Sequence, residues 1–359
     1  MEGILVRKIT INSIRCKYTV NFTNSWKDRL LKEYTKGDII IIDKKIIKYN
    51  SDYISTITNK CTFIGVNAHE ELKSYLGVVP IINKLIEYGF RRSCKIIGIG
   101  GGVTQDVTAF IASIMYRGVD WIFFPTTLLA QGDSCIGSKT SINFGKYKNQ
   151  LGGFYPPNKI FIDLSFLKTL SKTDIKSGLG EICHYYIASG ITDFKKLEKY
   201  YNNSLNNSTE MEDVIYNSLL IKRRYIEIDE LDKNKRQIFN YGHSFGHAIE
   251  TLTNYAIPHG IAISFGMDIA NYISYKLGYL KSEIRYDIRA LLKKFWTGYD
   301  ISKIDIKEFC DVLAKDKKNT NKDYQLILCR GYGKLFKQKV KRNIKFRTWL
   351  QEYLLNESN

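Results

Sequence analysis

The run NYGHSFGHAIE, residues 240–250, places His243 and His247 four positions apart, and His259 follows in PHGIAIS, so three of the chain's five histidines fall close together. Residues four apart share one face of an α-helix. Upstream, GLGEICHYY carries Glu181 in an apolar setting. Two imidazoles and one carboxylate with a fourth position left open form a catalytic rather than a structural zinc site. The competing reading is that histidines flanked by aromatic residues are satisfied core residues.

A second group is GIGGGVTQD, residues 98–106, which follows a strand-like run and opens a helical one. Its glycine N–H groups lie where a cofactor pyrophosphate can rest against a helix N-terminus. It is not the spaced G-x-G-x-x-G fingerprint, and a tight strand-to-helix turn would read the same way. A third group is basic: Arg117 in MYRGVDW, Lys139 in GSKTSIN, Lys148 with Asn149 in YKNQLGG, then Lys222 and Arg236. Lysine and arginine with an Asn amide suit a phosphate, and a forked guanidinium suits a carboxylate.

The elements that position these groups fall into two textures. GDIIIIDKKI, CTFIGVNA, CKIIGIG, WIFFPTTLLA and NKIFIDL read as strands, EELKSYLGVVPIINKLIEYGF and the stretch after GGG as helices, giving an alternating parallel-sheet pattern. From about Thr173 the period is near 3.6, in TDIKSGLGEICHYYIAS, MEDVIYNSLLIKRRYIEIDE, KRQIFNYGHSFGHAIETL and IAISFGMDIANYISYKL. DYQLILCRGYGK reads as a short strand pair or a loop. The expected architecture is α/β plus all-α: a Rossmann-like, NAD-binding domain over residues 1–172, then a helical metal- and substrate-binding domain over 173–359.

With 359 residues and 44% hydrophobic content the chain fits two packed globular domains. No apolar run of membrane-spanning length occurs and the N-terminus is strand-like rather than a signal peptide, so a cytoplasmic protein with no membrane partner is expected. The seven cysteines form no Cys-x-x-Cys pair and read as buried thiols. The net charge of +18 is spread along the chain without a basic-aromatic motif, which argues against a nucleic-acid partner. A drift of composition towards lysine accounts for it.

Taken in order, GGGVTQDVTAFIAS, YRGVDWIFFPTTLLAQGDSCIGSKTSINFGKYKNQLGGFYPP, SGLGEI, KRQIFNYGHSFGHAIE and PHGIAISFGM resemble the dehydroquinate synthase family of sugar phosphate cyclases, over about Glu70 to Lys318. The resemblance implies a Rossmann-like domain, a helical domain, and a cleft between them holding NAD and one divalent metal, zinc or alternatively cobalt. It implies Glu181, His243 and His259 as metal ligands, and His247 as a residue beside the substrate phosphate. NAD contacts are implied for Gly101, Gly102, Val103, Asp106, Thr126, Thr127 and Thr169, and for Glu70 and Lys73 of a Glu-x-x-Lys element in which His69 stands where glycine is usual. Lys139 and Lys148 are implied near both cofactor and substrate. Arg117, Asn149, Asn240 and one of Lys317 and Lys318 match the substrate-anion pocket; Asp133 faces substrate hydroxyls; Lys222 and Arg236 match the pair that holds a carboxylate.

The chemistry so implied is oxidation of a metal-bound alcohol by NAD, loss of a phosphate β to the new carbonyl, and return of the hydride. One departure stands out. The family's Glu-x-x-Lys at the metal-ligand helix is here Glu181-Ile182-Cys183-His184, so the lysine that reaches a substrate hydroxyl is absent and the ordinary substrate is in question. The expected partner is an anionic sugar phosphate. The resemblance also admits a homodimer, although no segment marks an interface. A metal-dependent NAD alcohol or polyol dehydrogenase is the alternative of another class; it has no need of Arg117, Lys139, Lys148 and Asn149.

Overall fold

The computed structural model describes residues 5–145, 147–203, 208–315, 319 and 322–358. The chain divides into two compact units, Met1–Leu170 with Lys222–Leu231, and Ser171–Ile221 with Asp232–Asn359. The 222–231 segment, which sequence reading assigned to the helical domain, therefore belongs with the first unit.

The first unit is built on strands β1 (Leu5–Asn12), β2 (Lys17–Thr23), β3 (Ile39–Asp43), β4 (Thr62–Val66), β5 (Ile96–Gly100), β6 (Trp121–Pro125) and β9 (Lys159–Ile162), in the order β1-β2-β9-β6-β5-β3-β4. Every pairing in this sheet is parallel except β1 with β2, an edge hairpin. The register sets Ile39 beside Ile96 and Ile96 beside Trp121. Ile39–Ile42 and Ile96–Gly100 are buried throughout, which explains their unbroken apolar character: a parallel strand covered on both faces has no polar side. Helices α1 (Trp26–Glu33), α2 (Lys44–Tyr49), α3 (Ser51–Ile57), α4 (Tyr75–Glu87) and α5 (Gly102–Ile114) connect the strands. Trp26, Ile46, Ile54 and Ile57 pack with Ile40, Ile42, Ile97 and Ile99 in one core.

A separate hairpin, β7 (Lys139–Phe144) with β8 (Tyr147–Phe154), was not foreseen from sequence. Its β8 strand is largely exposed and lacks the alternation that marks a half-buried strand.

The second unit contains α6 (Lys172–Ser189), α7 (Ile191–Asn203), α9 (His243–Leu252), α10 (His259–Lys276), α11 (Ser282–Trp296), α12 (Ile306–Ala314), α13 (Ile344–Asn356) and the antiparallel pair β10 (Asp323–Cys329) and β11 (Leu335–Lys341). α8 (Ser208–Ile228) contributes to both units. α6 starts at a capping box formed by Ser171 and Asp174. Residues 260–274 of α10 are all buried, which makes it the central helix of this unit. A buried charge group ties the C-terminal end to it: Asp268 pairs with Arg285 and Arg289, Tyr353 donates to Asp268 at 2.8 Å, and Arg285 bonds Glu357. Among the described residues no helix is long and apolar enough to cross a membrane.

Candidate metal and cofactor sites

In the second unit, each of three implied ligands is next in sequence to a glycine at a helix crossing. Gly180 precedes Glu181 on α6, Gly260 follows His259 on α10, and Gly242 precedes His243 at the start of α9. A Cβ on Gly260 would lie 1.7 Å from the Ser177 carbonyl oxygen, and one on Gly180 would lie 2.3 Å from the Gly260 carbonyl oxygen. Gly242 has φ +81° and turns the chain from the 3-10 segment Lys235–Asn240 into α9. These backbone contacts bring the three ligands within reach of one another.

His243 Nε2 lies 3.3 Å from Glu181 Oε1 and His259 Nε2 lies 3.4 Å from Glu181 Oε2. Zinc bonds of about 2.0–2.1 Å in a tetrahedron separate ligand atoms by about 3.3–3.4 Å. The two separations are to different carboxylate oxygens, and one ligand atom from each residue lies within 4.8 Å of the others, a set that a tetrahedral cation can draw together. Glu181 Oε2 is buried and makes no hydrogen bond of proper geometry, a costly state that a bound cation relieves.

The far nitrogens are also held. His259 Nδ1 meets Glu250 Oε2 at 3.0 Å and His243 Nδ1 meets the Tyr241 carbonyl at 3.2 Å. Donation from Nδ1 fixes each ring with Nε2 towards Glu181, as outer partners do around metals. Burial pushes the Glu181 carboxyl up, but the charge of His243 and contacts with His243 and His259 outweigh it and hold the group well below the usual carboxylate range. Burial lowers His259, yet its contacts with Glu181 and Glu250 dominate and hold the imidazole well above its ordinary value. Glu250 was missed by sequence reading, although its place three residues after His247 on the same helix marks it as a neighbour.

His247 is exposed and its ring stacks on His259, with centroids 5.7 Å apart. His184 is 1% exposed. Its Nδ1 lies 3.7 Å from Glu181 Oε1 and its ring packs on Tyr185, Phe239 and His243. The imidazole therefore supports the ligands from behind; it is not a shortened lysine reaching outwards. Arg236 is buried and Asn240 half-buried on the 3-10 turn before α9, where Asn240 Nδ2 donates to the Gln237 carbonyl at 2.9 Å. Lys317 and Lys318 lie outside the described residues.

In the first unit, β5 runs through Gly101 into α5, and Thr126 N donates to the Gly100 carbonyl at 2.9 Å. A Cβ on Gly101 would press on Thr127, but one on Gly102 would meet nothing within 4 Å. The turn thus leaves open space at Gly102, beside first-turn N–H groups that no N-cap side chain satisfies. Thr127 accepts from Ala130 N at 3.2 Å, and Gln105 and Ser134 bond each other, joining this turn to the segment that carries Asp133. Val103 sits in the first turn of α5. Thr169 closes a local 3-10 turn on the Phe166 carbonyl.

A polar network joins several of the remaining residues. Lys73 Nζ pairs with Asp106 Oδ2 at 2.6 Å, Asn143 Nδ2 donates to Glu70 at 2.8 Å, and Lys148 Nζ lies 3.8 Å from Glu70. Asn149, at φ +54°, receives the Ser141 hydroxyl on Oδ1 at 3.0 Å and donates its N–H to Asn143 at 2.9 Å. Asn143 and Ser141, both on the unforeseen hairpin, are the members that sequence reading missed. Lys222 Nζ bonds the Asp133 carboxylate and carbonyl, each at 2.7 Å. Arg117 is exposed in the short 3-10 turn Met115–Arg117 that follows α5, at φ +66°.

The family models described as 3-dehydroquinate synthase N-terminal and 3-dehydroquinate synthase C-terminal match residues 63–177 and 178–319. The 3-dehydroquinate synthase of Alkaliphilus metalliredigens is 34% identical over 338 residues, covering 91% of this chain and 94% of its own. A solved 2-deoxy-scyllo-inosose synthase, complexed with carbaglucose-6-phosphate, NAD+ and Co2+, superposes with a TM-score of 0.81 at 23% identity over 97% of this chain and 99% of its own. The 2-epi-5-epi-valiolone synthase of Streptomyces hygroscopicus subsp. jinggangensis, with NAD+ and Zn2+ bound, gives 0.83 at 21% identity over 93% and 95%. At those identities the two structures speak for the fold. The paired family matches and the relative of near-full length carry the conclusion that the chain belongs to the dehydroquinate synthase family of sugar phosphate cyclases.

Proposed function

We propose that the protein is an NAD- and divalent-metal-dependent carbon–oxygen lyase that eliminates phosphate from an anionic sugar phosphate, in the manner of 3-dehydroquinate synthase. The observation that carries this reading is the Glu181, His243 and His259 set, whose ligand atoms lie within 4.8 Å of one another and can be drawn together by a tetrahedral cation with a place left for substrate. Glu181, His243 and His259 would hold the metal, zinc or cobalt, and the turn from Gly101 to Asp106, with Thr126 and Thr127, would hold NAD. When bound, these groups supply reversible hydride acceptance and acidification of a substrate hydroxyl.

The chain's own residues have separate tasks in this reading. Lys148 and Asn149 bind the phosphate and offset the charge that develops on it as the carbon–oxygen bond breaks. Asn143 and Ser141 fix Asn149 in its left-handed conformation, so the amide is placed in advance. Asp133 orients the Lys222 ammonium, which with Arg236 serves a substrate carboxylate. Lys139 acts beside cofactor and substrate, and His247 and Asn240 beside the phosphate.

His184 supports a second reading within the same chemistry. With the lysine position filled by a ring buried against Glu181 and His243, one hydroxyl contact is lost, which favours another sugar phosphate as substrate. The deciding experiment is inorganic phosphate release by the zinc-loaded protein with NAD. 3-Deoxy-arabino-heptulosonate 7-phosphate is tested beside heptose and hexose phosphates. Release with the first compound and a carbocyclic product supports dehydroquinate synthesis; release with another compound alone supports the second reading. Absence of release from all of them, or unchanged turnover in Glu181→Gln, refutes the proposal.

A further inference from the structure

Glu230 belongs to none of the groups that carry the chemistry above, yet its carboxylate is among the most tightly engaged in the first unit. It is 6% exposed and accepts from the Ser13 hydroxyl at 2.7 Å, the Ile14 N–H at 2.6 Å, and the Ser138 hydroxyl. A carboxylate buried this far is tolerated when its oxygens are satisfied, so the arrangement is a fixed point. It ties the turn of the β1–β2 hairpin to the residue before Lys139.

That residue is in an unusual state. Gly137 and Ser138 are both left-handed, at φ +105° and +64°, a conformation that costs a serine backbone strain. Tyr18 holds the first through a 3.1 Å bond from Gly137 N to its hydroxyl, and Glu230 holds the second. Lys139 N then donates back to the Gly137 carbonyl at 2.8 Å, so the direction in which Lys139 leaves the turn follows from these two residues. The Lys222–Leu231 segment that supplies Glu230 also supplies Lys222 to Asp133. One stretch therefore grips both ends of residues 133–138.

We propose that Glu230 is a positioning residue for Lys139: by holding Ser138 in its left-handed conformation, it fixes the point from which Lys139 reaches cofactor and substrate. The inference rests on the role given to Lys139 under the proposed function. A displacement of about 1 Å of a reacting or binding group lowers rates on the order of a hundredfold, so the effect is measurable.

The test uses the full chain, zinc-loaded, in five variants: Lys139→Ala, Ser138→Ala, Ser13→Ala, Glu230→Gln, and the Glu230→Gln/Ser138→Ala double. NAD affinity is read by fluorescence titration, phosphate release by kcat and KM, and folding by thermal melting. Lys139→Ala should weaken NAD. Ser138→Ala and Glu230→Gln should each weaken NAD and lower kcat by about tenfold or more, and the double variant should be no worse than Glu230→Gln. Ser13→Ala, which removes one of the two hairpin bonds to the same carboxylate and leaves that from the Ile14 N–H, should lower the melting point while leaving NAD affinity within about twofold of the unmodified chain, a split that a purely structural role does not produce. Equal losses of NAD affinity in Ser13→Ala and Ser138→Ala, additive losses in the double variant, or unchanged NAD binding and turnover in Lys139→Ala would each overturn the proposal. Should no sugar phosphate release phosphate, the proposed function fails, while the NAD titrations still decide the role of Glu230.

Discussion

Replacing Gly260 with Ala should separate Glu181 from His259 and release the metal. The new Cβ would start 1.7 Å from the Ser177 carbonyl oxygen, where contacts under 3.0 Å are essentially never seen, so α10 must move from α6 by at least about 1.3 Å. The obstacles are all backbone, the Ser177 carbonyl group and Glu181 N at 3.0 Å, and none can rotate away. Glu181 and His259 ride on these two helices, one residue from the crossing, so most of the movement passes into their 3.4 Å separation. Metal-ligand distances tolerate about 0.2 Å. Loss of outer-sphere support alone costs about 10–100-fold in affinity, and losing a ligand should cost at least about a hundredfold. Overpacking should also lower stability by about 1–3 kcal/mol. Zinc retained against a graded chelator, measured by atomic emission, gives the affinity, and a circular dichroism melt of the metal-free chain gives the stability. A folded Gly260→Ala protein that keeps zinc as tightly as the unmodified chain would refute the claim that this crossing sets the site.

Three further outcomes are expected. Glu250→Gln removes the charged acceptor that orients His259 Nδ1 and should weaken zinc by about 10–100-fold in the same competition, without a comparable loss of helix content. Gly102→Ala meets open space and should melt within about 1 kcal/mol of the unmodified chain, because glycine to alanine in a helix costs nothing intrinsically; NAD affinity, read by fluorescence titration, should nevertheless fall because the methyl fills the space beside the helix N-terminus. Zinc uptake should release a proton near neutral pH. Glu181, held well below the usual range, is already ionised there, whereas His259, held well above its own, is protonated and must lose that proton to offer Nε2. Zinc affinity should therefore rise with pH through the neutral range, and an indicator-dye titration showing no proton release would contradict that assignment.

Much of the first unit was legible because its central strands are continuous apolar runs broken by glycine turns, the pattern that a sheet buried on both faces imposes. The helical character of the second unit was equally plain in its 3.6-residue period. The β7–β8 hairpin was not, since β8 exposes most of its residues and carries no alternation, and with it Asn143 and Ser141 were missed. The division of the units was also only partly readable: nothing in the composition of the 222–231 segment separates it from the helix that precedes it, and its place depends on Lys222 and Glu230 finding Asp133 and Ser138.

By itself the sequence determined the chemical types available: three clustered histidines and a glutamate on a helical run, a glycine turn between strand and helix, and lysines and an asparagine set for anions. Those are local matters of side chain and backbone freedom, written residue by residue. The tertiary structure decided which of them meet. Glu181, His243 and His259 lie on three helices, and the glycine crossings bring the two imidazoles to 3.3 and 3.4 Å from the two Glu181 oxygens; His184 was turned inwards to back them. Such distances come from how closely backbones can approach when no Cβ stands between them, a property of pairs of segments remote in sequence and of no segment alone.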